Sequence, residues 1–558
     1  MKKPSFTHWC GAALLVMLSG CLGGGGGGSS SGDRQPPAPA QEVAAYVEAV
    51  GLGVSDLDTA VAFYQSGLGM HELHRLERDD RIEVVMESAD RRGAQVQLMA
   101  FTDGLGRVYQ QNPGKLVFYV RDIDAFTEQF ENAGGRITLP PTAVPGADGT
   151  VVSFGRDPEN TLIEMIQVPS VSNSFIAGVG IGVSDLSRFR DFYGTALKLQ
   201  AQDLLQVPEQ YDEYSLLSPI PGSSALILVH WTDGSTQNYT DNPVKLQLGT
   251  GDPVRLAEQL EQEGAALLAS PAPSTEADLE GEVLGYAADP DGTLLEIRQS
   301  IRAGLVAGGI GVEDLATAVP FYTDGLGMRV VERRSREDRD EVVLESADGR
   351  GSHVVLMEFT DGLSRNLDRN PGKLVFYVRD IDAFVTDFVA AGGRLTLPPM
   401  ADPGLGVTVA FGRDLHNNLI EMVSDATAEH SYFGAFGIGV SDLEEARRFW
   451  VEELGFRQLM YLPIPGMYDE YILQGYDGSA LVLMHWTNGG GQNYRDNPVK
   501  LEVHSIAPGP FTEAVARAGG ELVQEPTSDP TLNDQMVGYA WDADGSLLEV
   551  RQAPWGLD

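Results

Sequence analysis

Four lysines are the residues best placed to do chemistry. Lys115, Lys245, Lys373 and Lys500 each open a short apolar run, Lys115-Leu-Val-Phe-Tyr-Val120 in the first case, and the whole chain has only seven lysines. Lys2 and Lys3 lie at the start, Lys198 stands alone, and arginine supplies the positive charge elsewhere. Repeated choice of lysine asks for a compact point charge rather than a planar fork. Such an ammonium can neutralise a buried carboxylate or hold an anionic or carbonyl-bearing ligand. It can form a Schiff base only if its pKa falls, and a neighbouring glutamate opposes that.

Other candidates are weaker. His71 and His74 differ in strand parity and make a poor metal pair. His230 and His485 each precede Trp-Thr and read as packing or edge residues. Tyr211-Asp-Glu-Tyr214, echoed by Tyr468-Asp-Glu-Tyr471, suits a pocket wall or equally an alternating strand with one packed face. Phe101, Trp231, Phe359 and Trp486 fall at one equivalent place, where they line a cavity or fill a core. The sequence contains no glycine-rich phosphate loop, hydrolase elbow or aromatic-basic platform for nucleic acid.

The elements that position these residues follow from internal repetition. Asn112 to Phe126 recurs unchanged as Asn370 to Phe384, and Gln237 to Lys245 returns with one substitution as Gln492 to Lys500. Copies one and three are therefore sisters, as are two and four. Boundaries fall near Val168, Gln299 and Ser424, giving domains at 45–168, 174–299, 303–424 and 431–553. In the first copy, Val47 to Val54 reads as a strand, and Ser55-Asp56 caps a helix with Leu57, Ala60, Val61, Phe63 and Tyr64 at helical spacing. Gly67-Leu-Gly69 stops it. Three strands follow, near His71 to Leu76, Arg81 to Met86 and Gln95 to Phe101, and the pattern restarts at Lys115 with Asp122 as cap. Each copy is thus two βαβββ modules. Pro320, inside the third copy's first helix, predicts a kink.

The N-terminus reads as an address. Lys2 and Lys3, an apolar run from Ala12 to Leu18 and Leu18-Ser-Gly-Cys21 have the layout of a secretory signal. The last four residues resemble a bacterial lipobox, which implies cleavage after residue 20 and acylation, as by palmitate, of Cys21. Residues 21–44, rich in Gly, Ser and Pro, form a tether with a typical reach of roughly 25 Å. Leu22 after the cysteine resembles cargo sent to the outer membrane of a Gram-negative envelope. The other cysteine, Cys10, also precedes the body, so no disulfide framework is expected there.

The bulk numbers fit an exported globular body. Apolar residues make up 42% and charged residues 21%, as in ordinary folded domains. With 80 acidic against 39 basic residues the formal charge is −41, which repels nucleic acid and anionic lipid headgroups.

The Val-Ser-Asp-Leu turn, Phe63-Tyr64, Gly67-Leu-Gly-Met70, Asp157-Pro158 and Leu162-Ile-Glu164 together resemble the vicinal oxygen chelate superfamily of glyoxalases, extradiol dioxygenases and bleomycin-resistance proteins. The resemblance covers nearly all of Ala45 to Gln552 and implies an α+β fold, with two modules curling their sheets around a cavity. Enzymes of that superfamily hold a divalent metal at four strand positions. Here the first-strand place is Ala49, Gly178, Ala307 and Ala435, and the fourth-strand place is Gln97, Ile227, Val355 and Val482. The fifth-strand place carries the four lysines, which have no lone pair for a metal when protonated. Only the eighth-strand place, Glu164, Glu296, Glu421 and Glu549, matches the family's carboxylate ligand.

The resemblance therefore implies an abandoned metal site in which each lysine pairs with the glutamate of its own module: Lys115 with Glu164, Lys245 with Glu296, Lys373 with Glu421, Lys500 with Glu549. A structural salt bridge and a retained ligand-binding lysine both remain open. The leading expectation is a membrane-anchored, exported lipoprotein that binds or sequesters a small organic molecule, with paired domains and no cofactor, metal or nucleic-acid partner. The alternative is a lyase, isomerase or dioxygenase of the same superfamily with atypical ligands.

Overall fold

A computed structural model describes residues 43–553, except 90, 145–148, 172, 241, 276–281, 368–369, 403–405, 490–491, 496–497 and 533. The signal, Cys21 and nearly all of the tether lie outside the described residues. The chain divides into two compact units, one reaching to Ser300 and the other spanning Ile301–Pro554.

The first copy shows how local sequence makes the elements. β1 (Ala45–Gly53) leads to α1 (Leu57–Leu68), whose N-cap Asp56 accepts a hydrogen bond from the Thr59 amide. Gly69 ends the helix at φ 68°, where a Cβ would be strained. Then come β2 (Met70–Glu77), β3 (Arg81–Ser88) and β4 (Gln95–Phe101). The second module repeats the order with β5 (Lys115–Val120), α2 (Ile123–Asn132), β6 (Arg136–Ala143), β7 (Val151–Arg156) and β8 (Leu162–Gln167). Pro320 does not break its helix but ends a regular stretch, Leu315–Pro320, that runs on as a wider turn over Phe321–Gly325.

The sheets do not follow the copies. β1 to β4 join the second module of copy two in an eight-stranded sheet, here sheet 1, through an antiparallel seam that sets Ala49 opposite Gln247 and Gly51 opposite Lys245. β5 to β8 join the first module of copy two in sheet 2, where Lys115 faces Gly180. Copies three and four exchange modules in the same way, Gly309 facing Lys500 in sheet 3 and Lys373 facing Gly437 in sheet 4. The fold is α+β with four glyoxalase-like sheets of similar size. The two modules of one copy thus lie in different sheets: the stretch 45–168 supplies halves of two sheets, each completed by copy two. Helices pack on one face of the sheets around cores that include Phe63, Tyr64, Phe130, Phe189 and Tyr193 in the first unit and Tyr322, Phe388 and Trp450 in the second.

Candidate functional site

The other face of each sheet carries a buried lysine, and glycine makes room for it. A Cβ added at Gly180 would stand 2.7 Å from Lys115 Cγ, and one at Gly437 2.8 Å from Lys373 Cγ. At Gly51 and Gly309 it would meet Cβ of Lys245 and Lys500 at 2.9 and 3.0 Å. Each lysine lies across a strand that has no side chain there, which lets its stem turn along the sheet.

Each ammonium reaches the glutamate of its own module. Lys115 Nζ is 2.7 Å from Glu164 Oε2, Lys245 Nζ 2.8 Å from Glu296, Lys373 Nζ 2.7 Å from Glu421 and Lys500 Nζ 3.0 Å from Glu549. A second carboxylate, which the sequence analysis did not single out, arrives from the third strand of the other copy in the same unit. Glu213 lies 2.7 Å from Lys115, Glu83 2.9 Å from Lys245, Glu470 2.6 Å from Lys373 and Glu341 2.8 Å from Lys500. The signal was present, since this glutamate recurs two residues after Arg81, Tyr211, Arg339 and Tyr468. Burial alone would lower the pKa of Lys115, Lys373 and Lys500, but the carboxylates outweigh it and hold all three above the ordinary lysine range. These three are therefore charged and unsuited to Schiff-base chemistry at neutral pH.

Beyond this shared centre the four sites are of two kinds. In sheet 1, Arg81 Nε bonds Glu83 at 2.6 Å and Arg298 Nε lies 3.9 Å from Glu296. Gln97 donates to Gln247, which donates to Glu48 at 2.8 Å. Sheet 3 is alike: Arg339 bonds Glu341 at 2.7 Å, Arg551 Nε bonds Glu549 at 2.7 Å, and Glu502 bridges Lys500 and Arg334 at 2.8 and 2.6 Å. In sheets 2 and 4 the same places are apolar or aromatic. Tyr211 and Tyr468 replace the arginines that lie before the glutamate, Ile166 and Val423 replace Arg298 and Arg551, and Val117 and Val375 replace Gln247 and Glu502. Tyr211 meets Trp231 edge-on at 5.4 Å and Tyr468 meets Trp486 at 5.1 Å, with half-buried Tyr119 and Phe154, or Tyr377 and Phe411, alongside.

The electrostatics divide in the same way. Burial would raise Glu83, but Lys245 and Arg81 bring it down to about 2, and Glu341 is lowered likewise by Lys500 and Arg339. Glu213 and Glu470 move up instead, because burial and the second carboxylate outweigh their single lysine.

The remaining candidates fall into place around these centres. His230 and His485 contact the carbonyls of Val183 and Val440 through Nδ1 and stack on Tyr239 and Tyr494, so they pack rather than point at the lysines. Phe101 and Phe359, the counterparts of Trp231 and Trp486, lie under Arg107 and Arg365, each 3.7 Å from the ring centroid.

Residues 46–165 and 304–422 match the model of the Glyoxalase/Bleomycin resistance protein/Dioxygenase superfamily. The chain carries glyoxalase-superfamily domains. Among curated relatives, a putative lactoylglutathione lyase of Brassica oleracea var. gemmifera is 24% identical over 245 residues, covering 42% of this chain and 86% of the relative. A lactoylglutathione lyase of Arabidopsis thaliana is 25% identical over 157 residues, 28% of this chain and 55% of its own length. Among solved structures, glyoxalase I from Zea mays is similar at 21% identity and a TM-score of 0.39, over 46% of this chain and 93% of that one. A putative dioxygenase of Bacillus subtilis is similar at 14% identity and a TM-score of 0.36, over 46% and 86%.

The four strand places that hold a metal in glyoxalase-like enzymes come here from two copies: in sheet 1 Ala49, Gln97, Lys245 and Glu296, in sheet 2 Gly178, Ile227, Lys115 and Glu164. They do not fit a divalent ion. Alanine and glycine offer no donor atom, and the lysine ammonium is already bound to the glutamate that would be a ligand. Sheets 3 and 4 repeat the mismatch with Ala307, Val355, Lys500 and Glu549, and with Ala435, Val482, Lys373 and Glu421. Among the described residues, no group of three or more His, Cys, Asp or Glu is arranged to hold a metal ion.

Proposed function

We propose that this chain is an exported lipoprotein, anchored through Cys21, whose glyoxalase-like domains bind and sequester a small organic ligand without chemical turnover. The observation that carries the reading is the lysine-bearing face of sheets 2 and 4, where a lysine held by two glutamates is flanked by half-buried aromatic and apolar side chains. Concave, mostly apolar sites with a few convergent polar groups are what small-molecule binding requires. No described helix is long and apolar enough to cross a membrane, so anchoring rests on the lipid. Radiolabelled palmitate should enter the expressed protein and fail to enter Cys21→Ala.

The names of the lactoylglutathione lyase relatives favour a second reading, a metal-dependent lyase, isomerase or dioxygenase with Glu164, Glu296, Glu421 and Glu549 as carboxylate ligands. Metal analysis of the body from Gln41 onward, after incubation with zinc, nickel, manganese and iron(II) and desalting, separates the two. Protein free of metal supports sequestration, and stoichiometric retained metal transfers the case to the enzyme.

A further inference from the structure

Resting on the binding reading above, we propose that the grooves of sheets 2 and 4 are the ligand sites, that those of sheets 1 and 3 are closed structural ion clusters, and that the ligand is a small organic cation, an ammonium on an apolar body.

The charge count carries the argument. In sheet 1, Glu83 and Glu296 face Lys245 and Arg81, two fixed cations for two carboxylates, while Arg298, 3.9 Å from Glu296, is bound to Glu282. In sheet 2, Glu164 and Glu213 share Lys115 alone, and in sheet 4 Glu421 and Glu470 share Lys373. The arginines on the neighbouring strand, Arg156 and Arg413, instead donate to the backbone carbonyls of Asn160 and Asn417. One carboxylate in each of these grooves is therefore left over. Burying it uncompensated is costly, so it is met by a proton or by a second cation.

Access differs in the same sense. The side chains of Glu164 and Glu213 are 10% and 7% exposed, those of Glu421 and Glu470 15% and 5%, while Glu83 and Glu296 are at 0% and 1% and Glu341 and Glu549 both at 0%. Among the described residues, solvent thus reaches the lysine-bound carboxylates of sheets 2 and 4 but not those of sheets 1 and 3. The tyrosine rings already lie near a cation, Lys115 Nζ 5.3 Å from the Tyr211 ring and Lys373 Nζ 5.4 Å from that of Tyr468. Trp231 and Trp486 stand beside those rings, and Trp231 already has the Arg156 guanidinium 5.8 Å from its centroid, so these rings lie where cations gather.

Calorimetry on the full chain with three probes of similar size tests this: benzylammonium, benzyl alcohol and benzoate. Benzylammonium should bind twice per chain and more tightly than the other two by about tenfold, the scale of a desolvated cation–aromatic contact. Glu213→Gln should leave one cation site, and Glu213→Gln with Glu470→Gln none. Should these variants melt early, Trp231→Leu and Trp486→Leu at the rim must show the same stepwise loss. Equal or tighter binding of the alcohol or the carboxylate in these grooves overturns cation selection and leaves the binding reading standing. Four cation sites per chain, or binding indifferent to all these variants, overturns the division between grooves. Failure of all three probes at millimolar concentration overturns both.

Discussion

Lys245 and Glu83 belong to different sequence copies, 162 residues apart, yet their side chains meet at 2.9 Å with both fully buried. Every lysine site has such a cross-copy carboxylate, and this makes the pairs of copies interdependent.

Fragments should show it. Residues 43–300 are expected to unfold in urea as a cooperative, monomeric body. Residues 43–168 alone leave β1 without Val244–Thr250 and β5 without Phe175–Gly182, and should elute as aggregates or as dimers that supply the missing halves.

Removing a lysine should cost more than removing its site. Lys115→Met strands Glu164 and Glu213 and should destabilise the chain by ~3–5 kcal/mol at neutral pH. Lys115→Met with Glu164→Gln and Glu213→Gln should recover most of that loss, as read from urea midpoints at constant slope.

The glycine opposite each lysine should resist even one methyl. Gly180→Ala puts a Cβ 2.7 Å from Lys115 Cγ and 3.0 Å from its backbone nitrogen, and should cost ~1–3 kcal/mol by overpacking. Gly106→Ala, where a Cβ would meet nothing within 4 Å, should leave the melting temperature unchanged.

Acid should act first on the arginine-rich sheets. Glu83 is depressed to about 2 in the folded chain, against about 4.3 when unfolded, so its contribution is complete above the unfolded value and fades as pH falls toward the folded one. Glu341 and Glu502 shift in the same direction. Unfolding free energy should therefore drop below about pH 4.3, and Glu83→Gln with Glu341→Gln should flatten that limb. Glu213 and Glu470 are raised, so their contribution is lost as pH rises instead, and glutamine there should leave the acid limb in place.

Much of this was legible in the sequence because it was local or repeated. The caps at Asp56 and Asp122, the stop at Gly69 and the strands from Arg81 and Gln95 follow from short-range rules and stand where those rules put them. The lysines stood out by recurrence, and the eighth-strand glutamates by their match to the carboxylate place of the resembled family. The exchange of modules was not legible, because the second modules of the several copies offer β1 nearly equivalent partner strands and the choice is made by tertiary packing. Glu213 and Glu470 stayed hidden inside Tyr-Asp-Glu-Tyr, where alternation alone does not say which face looks into the groove. Glu83 and Glu341 were passed over although their spacing from Arg81 and Arg339 repeats it.

The shared floors also bear on descent. Because each site draws its lysine from one copy and its second glutamate from the other copy of its unit, a change in either copy alters a site that both share. Duplicating one copy would have multiplied half-sites. Duplicating the linked pair carried over one ionic and one aromatic site together, ready-made, and the second unit keeps that division with Glu502 in place of Gln247.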